Sequence, residues 1–218
     1  MNKLTMRNSI LSAIALGFAT QANAVVVSWT DWTAVTATAP GAIGELTADG
    51  STVDVTYSGP YAFVTTDVGT NYWTEGTPAP YTSGEVENAP PASDIVALNA
   101  GGTKTITFSE AIQDPYLALV SWNGNTVDFG DDVFGVISEG AGYWGSGTII
   151  PNADNTGFFG SGEVHGIIKF EGSFTSLTFT DTSENWHGFT IGVAGLADDG
   201  NGDGQVPIPG TLALLGIG

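Results

Sequence analysis

Leu117-Ala118-Leu119-Val120-Ser121-Trp122 is almost continuously apolar. A strand with one wet face alternates apolar and polar residues, so this stretch reads as a central strand buried on both faces. Asn123-Gly124 follows at once, then Thr126-Val127-Asp128-Phe129. Asn-Gly supplies the positive φ angles of a tight turn, and a hairpin is expected here. Outward from this point the β pattern runs from Val25 to about Val193. Val53-Asp54-Val55-Thr56-Tyr57, Thr103-Lys104-Thr105-Ile106-Thr107-Phe108 and Leu177-Thr178-Phe179-Thr180 alternate like strands with one wet face. Asn99-Ala100-Gly101-Gly102 joins two more strands. Thr77 to Ser93 holds Pro78, Pro80, Pro90 and Pro91 without periodicity, and reads as a long surface loop. No stretch of the domain shows sustained helical spacing. Ten to twelve short strands predict an all-β fold, a two-layer antiparallel β-sandwich of jelly-roll-like form, with a closed barrel as the alternative.

The chain has 218 residues and no cysteine, so disulfides play no part. Length suits one domain plus a tail. Of its four basic residues, Lys3 and Arg7 sit at the N-terminus, leaving Lys104 and Lys169 to face 23 acids in the rest of the chain. Such a surface repels nucleic acid and anionic lipid, so nucleic-acid partners are excluded. It favours solubility and admits calcium.

Lys3 and Arg7 precede an apolar run from Ile10 to Ala19, and Ala22-Asn23-Ala24 then gives the small-x-small pattern that a signal peptidase cuts. The run is far shorter than the roughly 20 residues a membrane span needs. Residues 1–24 therefore read as a signal peptide, 25–196 as the β-sandwich domain, and 197–205, with Ala197-Asp198-Asp199-Gly200-Asn201-Gly202-Asp203-Gly204, as a flexible acidic linker.

Val206-Pro207-Ile208-Pro209 and the Leu/Ala/Gly-rich run from Thr211 then open a tail over 206–218. This tail resembles the PEP-CTERM tag of exosortase-sorted bacterial proteins, with Ile208 where the name-giving Glu stands. The family's tag has a full apolar span and a basic cluster after this point, so the stretch reads either as a tag cut short at Gly218 or as a remnant of one. Ala89-Pro90-Pro91-Ala92-Ser93-Asp94-Ile95, Gly142-Tyr143-Trp144-Gly145 and Asn185-Trp186-His187-Gly188-Phe189 resemble stretches of exported β-rich proteins that carry this tag. The resemblance implies export to the outer envelope, cell surface or extracellular space. It implies signal peptidase and an exosortase-type processing enzyme as partners, and a setting of exopolysaccharide and biofilm. It carries no catalytic residues over.

Several residue groups are candidates for chemistry. Trp73, Trp144 and Trp186 each neighbour Gly or polar residues, as aromatics at loop edges do, and flat exposed rings stack on sugar faces. At least half of the six tryptophans are expected in the core. Trp29 and Trp32, three apart, cannot share one strand face, so one of them is expected outside. Asp128, Asp131 and Asp132 surround a turn at Gly130, and calcium is the cation their oxygens would suit; Asp181, Glu184 and Asn185 surround another turn. Asp199, Asn201 and Asp203 match half of an EF-hand loop, but its closing acid is replaced by Gly210, and the stretch reads better as linker. Glu163 and His165, two apart, would share a strand face, and with His187 they form a candidate polar site for a metal or for acid–base work. Glu85-Val86-Glu87 is the nearest approach to a paired-carboxylate hydrolase motif, and no nucleophile elbow is present. The expected role is structural or adhesive, in an extracellular polysaccharide matrix. A carbohydrate-binding module is the alternative, and a secreted hydrolase the third reading.

Overall fold

The computed structural model describes residues 24–38 and 41–196. The expected signal segment, the linker at 197–205 with its half EF-hand, and the motif Val206-Pro207-Ile208-Pro209 lie outside the described residues, except for Ala24. The described chain is all β. Its strands are β1 Ser28–Trp29, β2 Asp31–Val35, β3 Ala42–Ala48, β4 Ser51–Ser58, β5 Phe63–Thr65, β6 Ile95–Leu98, β7 Gly102–Gln113, β8 Tyr116–Val120 and β9 Thr126–Asp128. There follow β10 Phe134–Glu139, β11 Ala141–Gly142, β12 Gly145–Pro151, β13 Gly157–Gly162, β14 Gly166–Phe170, β15 Ser173–Asp181, β16 His187–Val193 and β17 Gly195–Leu196. They outnumber the ten to twelve expected, in part because β1, β11 and β17 are two-residue pieces that leave no pattern in the sequence.

Two antiparallel sheets form the sandwich. One runs β10-β14-β8-β16-β6-β5, with β1 beside β16; the other runs β11-β12-β13-β9-β15-β7-β4-β3-β2, with β17 beside β7. Within them, the order β6-β16-β8-β14 faces the order β7-β15-β9-β13. The chain alternates between the sheets from β6 to β9 and again from β13 to β16. That interleaving is the jelly-roll topology. The alternating strands behave as read: Val53, Val55 and Tyr57 of β4, and Leu177 and Phe179 of β15, point inward.

β8 explains the run that lacks alternation. Leu117 and Leu119 enter the core between the sheets, while Tyr116, Ala118 and Val120 enter a second core on the outer face of the smaller sheet. That second core exists because the segment read as a surface loop is a cover. Tyr81 and Val86 from it, and Trp73 just ahead of it, pack in one cluster with Ala118, Val120 and Ile167. Asn88 ties the cover to the N-terminal segment by copying a strand partner: its Oδ1 accepts the Val27 N–H at 2.8 Å, and its Nδ2 donates to the Val27 carbonyl at 2.9 Å. Four prolines and no periodicity made this stretch look like solvent-facing loop, yet apolar side chains at irregular intervals suffice to bury it.

Two further expectations are corrected. Asn123-Gly124 does not close a hairpin: Gly124 has φ +76°, but the chain passes there from β8 in one sheet to β9 in the other. Trp29 and Trp32 are both buried, because β1 and β2 belong to different sheets and their rings enter different cores.

Candidate functional site

The tight turn between β11 and β12 carries Tyr143 and Trp144 at its tip, with Gly142 paired to Gly145. Both glycines are required. A Cβ on Gly142 would lie 2.4 Å from the His165 ring, and Gly145 has φ +130°. Two residues at a hairpin tip cannot alternate inward and outward, so both rings face solvent; Tyr143 is 42% and Trp144 46% exposed. They meet three more aromatics there. Trp144 lies 4.7 Å edge-on to Trp186 and 5.5 Å from Tyr72, nearly parallel to it. Tyr72 lies 5.0 Å from Trp186 and 5.2 Å from Tyr143, and Phe63 lies 5.7 Å from Trp186. Phe63, Tyr72 and Trp186 are half-buried against the outer core, and Tyr143 and Trp144 stand exposed on top of them; contiguous aromatic surface of this kind marks an interaction site more often than a bare face.

The three tryptophans named from sequence therefore divide. Trp144 and Trp186 belong to this patch. Trp73 does not: it is 3% exposed, packs edge-on to Tyr81 at 5.2 Å, and donates from Nε1 to the Asp94 carbonyl at 3.3 Å. It anchors the segment that carries Tyr72, one residue away. Trp29, Trp32, Trp73 and Trp122 are core, which meets the expectation for at least half of the six.

Carboxylates rim the patch. Glu163 lies beside Gly145, with its side chain 4.0 Å from where a Cβ would stand. It accepts from the Asn123 amide at 2.9 Å and from the Ser121 hydroxyl. Glu184 accepts from the Trp186 N–H at 3.3 Å and lies 3.3 Å from His187 Nδ1. Burial raises the Glu184 carboxyl above its usual range, and the charge of Glu163 adds to the rise, while His187 opposes it.

Glu163, His165 and His187 do not form one site. Positive φ at Gly162 ends β13, so Glu163 and His165 sit in a connector rather than on a strand. Glu163 reaches the rim, whereas His165 is fully buried, with Nδ1 2.9 Å from the Tyr81 hydroxyl. That hydroxyl donates to the Leu119 carbonyl at 3.1 Å, which leaves the His165 Nδ1–H to donate to the tyrosine oxygen. His165 Nε2 has no partner. Burial holds this ring neutral by pushing its pKa down to about 4, against the opposite pull of Glu163.

His187 belongs to a buried ionic network that sequence reading missed. Lys104 shares the inward face of β7 with Ile106 and Phe108. Its Nζ donates to the Ala100 and Gly102 carbonyls, at 2.8 and 3.2 Å, and to Asp181. The other Asp181 oxygen lies 2.8 Å from His187 Nε2, and the Trp122 ring packs 4.4 Å from His187. All three side chains are wholly buried, so no substrate reaches them. The signal was present in the sequence: Lys104 is in phase with the buried residues of its strand.

The acidic turn around Gly130 is not among the elements that form this patch, whereas the second acidic turn supplies Glu184 to its rim. Asp128 Oδ1 accepts the Gly130 N–H at 2.8 Å. Asp131 and Asp132 instead line an open groove of about 520 Å³ with Phe134, Glu171 and Phe174. Burial, with the charge of Asp131, raises the Asp132 carboxyl. In the second turn Asp181 is committed to Lys104 and His187. Among the described residues no three His, Asp or Glu side chains converge to hold a metal ion. Glu85 and Glu87 flank the buried Val86, whose backbone bridges to Val25 in the cover.

The patch thus offers stacking rings beside hydrogen-bonding carboxylates and an amide. No family profile, curated protein or solved structure matches the chain.

Proposed function

We propose that this chain is an exported cell-surface or extracellular-matrix protein, sorted by an exosortase-type system, that holds polysaccharide on the patch of Tyr72, Tyr143, Trp144 and Trp186. The export part of the reading is supported by the motifs at the two ends of the sequence. The binding part is carried by one observation, the aromatic cluster in which Tyr143 and Trp144 stand exposed over half-buried Tyr72 and Trp186. Sugar rings present apolar faces that stack on aromatic side chains, and their hydroxyls need acceptors close by. Glu163, Glu184 and Asn123 stand at the edge of the rings to meet them.

The test is co-sedimentation of the chain with the producing cell's exopolysaccharide. Saturable retention is expected, and Trp144→Ala should weaken it about 30-fold or more, the usual scale for an exposed aromatic anchor. Circular dichroism should show the variant folded. Retention that does not saturate, or that Trp144→Ala leaves unchanged, would leave a passive matrix component without a sugar site.

A further inference from the structure

The charges around the aromatic patch bear on what kind of polysaccharide it holds. The whole sequence contains four lysines and arginines. Lys3 and Arg7 lie outside the described residues and in the segment expected to be cleaved. Lys104 is buried against Asp181. Lys169 stands on β14, 3.2 Å from Asp114 and 5.6 Å above the Tyr116 ring, near the end of that strand away from His165. Among the described residues no lysine or arginine therefore stands at the patch; the basic side chain that meets its rim is His187, wholly buried behind Glu184.

Carboxylates approach it from three elements. Glu163 flanks Gly145 in the connector after β13, and Glu184 precedes Trp186. Glu75 accepts from the Tyr81 N–H at 3.0 Å, and its neighbour Gly76 donates to the Ala141 carbonyl at 2.7 Å, beside the Tyr143-Trp144 turn. Burial is the main reason that the Glu184 carboxyl is raised, and repulsion from Glu163 adds the smallest part. A cation bound between them would relieve that repulsion, and the neighbouring ring faces attract an ammonium through their quadrupoles. A uronic or sulfated chain would bring more negative charge to a site that offers it no lysine or arginine.

We propose that the polysaccharide held on this patch carries free amino groups, as a partly deacetylated amino-sugar polymer does, and that uronic and sulfated chains are rejected. This rests on the patch being a sugar platform. Ammonium groups fall against Glu163 and Glu184 while the sugar faces lie on Trp144 and Tyr72.

Calorimetric titration of the full chain at pH 6 and low salt tests this with three hexasaccharides: β-1,4-glucosamine, its fully N-acetylated form, and guluronate. The glucosamine hexamer should bind about fivefold tighter than the acetylated one, the upper scale of one exposed charge pair. Guluronate should not bind. Glu163→Gln should move the ratio of the two affinities, glucosamine over acetylated, toward one, whatever it does to either affinity alone; a ratio that Glu163→Gln leaves unchanged overturns the proposal. Equal affinity for the two glucosamine forms, or any binding of guluronate, overturns the proposal but spares the sugar platform. A preference that survives Trp144→Ala would show diffuse attraction to an acidic protein and also overturns it. If none of the three hexamers and none of the cell's own polysaccharide binds, the platform reading falls with it.

Discussion

Two Tyr-Trp dipeptides, Tyr72-Trp73 and Tyr143-Trp144, meet at one site and take opposite roles. In the first, Tyr72 is half-buried against the outer core while Trp73 is 3% exposed within it. In the second, a tight turn leaves no inward direction, and both rings stay in solvent. Tyr72 then joins the second pair at 5.2 and 5.5 Å. Residue type does not decide which tryptophan is core and which is free for a ligand. The backbone on which each ring is mounted does.

Exchanging each tryptophan for alanine is the strongest way to break the comparison. Trp73→Ala should lose about 3–5 kcal/mol of stability, since it empties a core position and frees the Asp94 carbonyl. Trp144→Ala should change stability by less than about 1 kcal/mol, as expected of an exposed ring. Urea midpoints measure both. Equal losses in the two variants would make the second dipeptide a packing element and remove the basis for a binding role.

Protonation separates the two regions next. The second dipeptide is seated on His165, because Gly142 lies against that ring. The folded pKa of His165 is about 4, below the 6.5 of a free histidine, so between these values the unfolded chain holds the proton and the folded chain does not. Its contribution is fully present above about pH 6.5 and is lost as pH falls toward 4. The shift corresponds to about 3 kcal/mol. His165→Gln should remove that part of the slope when urea midpoints are compared from pH 4 to 7. An unchanged slope would mean that other groups set the acid response.

Much of this architecture could be read from the chain, and the failures have a common cause. The doubly buried β8 and the alternating β4, β7 and β15 are local patterns, and they were legible. Asn123-Gly124 is a turn in both readings; whether it closes a hairpin or crosses between sheets depends on where Thr126–Asp128 finds its partners, β13 and β15, which lie far along the chain. Trp144 and Trp186 could be named as loop-edge aromatics, but so could Trp73, because the cover that buries Trp73 has no period. Tyr72, Tyr143 and Phe63 complete the patch through contacts between distant segments. Lys104 was the exception: its phase with Ile106 and Phe108 placed it inside, and only the habit of reading lysine as exposed concealed it.

Gly142→Ala sharpens the comparison with a smaller effect. Its Cβ would meet the His165 ring at 2.4 Å, so the turn must shift, at a cost of about 1–3 kcal/mol. The shift should also displace Trp144 and weaken polysaccharide retention, although no ring is removed. Gly135 on β10 has open space where a Cβ would stand, and Gly135→Ala should stay within about 0.5 kcal/mol. Thermal melts of both variants measure this. A neutral Gly142→Ala would mean that the turn is not held by His165.

The smallest expected effect lies on the first dipeptide and has the opposite pH sign. The Asp94 carbonyl holds Trp73, while its carboxylate accepts the buried Trp32 N–H at 3.2 Å. Burial raises that carboxyl from 3.8 to about 6, with Asp31 and Asp67 adding to the rise. The folded state therefore favours the protonated form, and the ionised side chain opposes folding increasingly from pH 3.8 up to about 6. Asp94→Asn keeps an acceptor for Trp32 and removes the charge. It should stabilise the chain by about 1 kcal/mol at pH 7, less than the shift alone implies because the new amide N–H groups need partners. The gain should shrink to nothing near pH 4, the reverse of the His165 trend. Urea midpoints at both pH values separate a charge effect from a packing effect: a gain that persists at pH 4 would come from packing, and loss of stability at pH 7 would show that the ionised carboxylate is needed by Trp32. The ring that anchors the patch would then rest on a favourable charge rather than an opposed one.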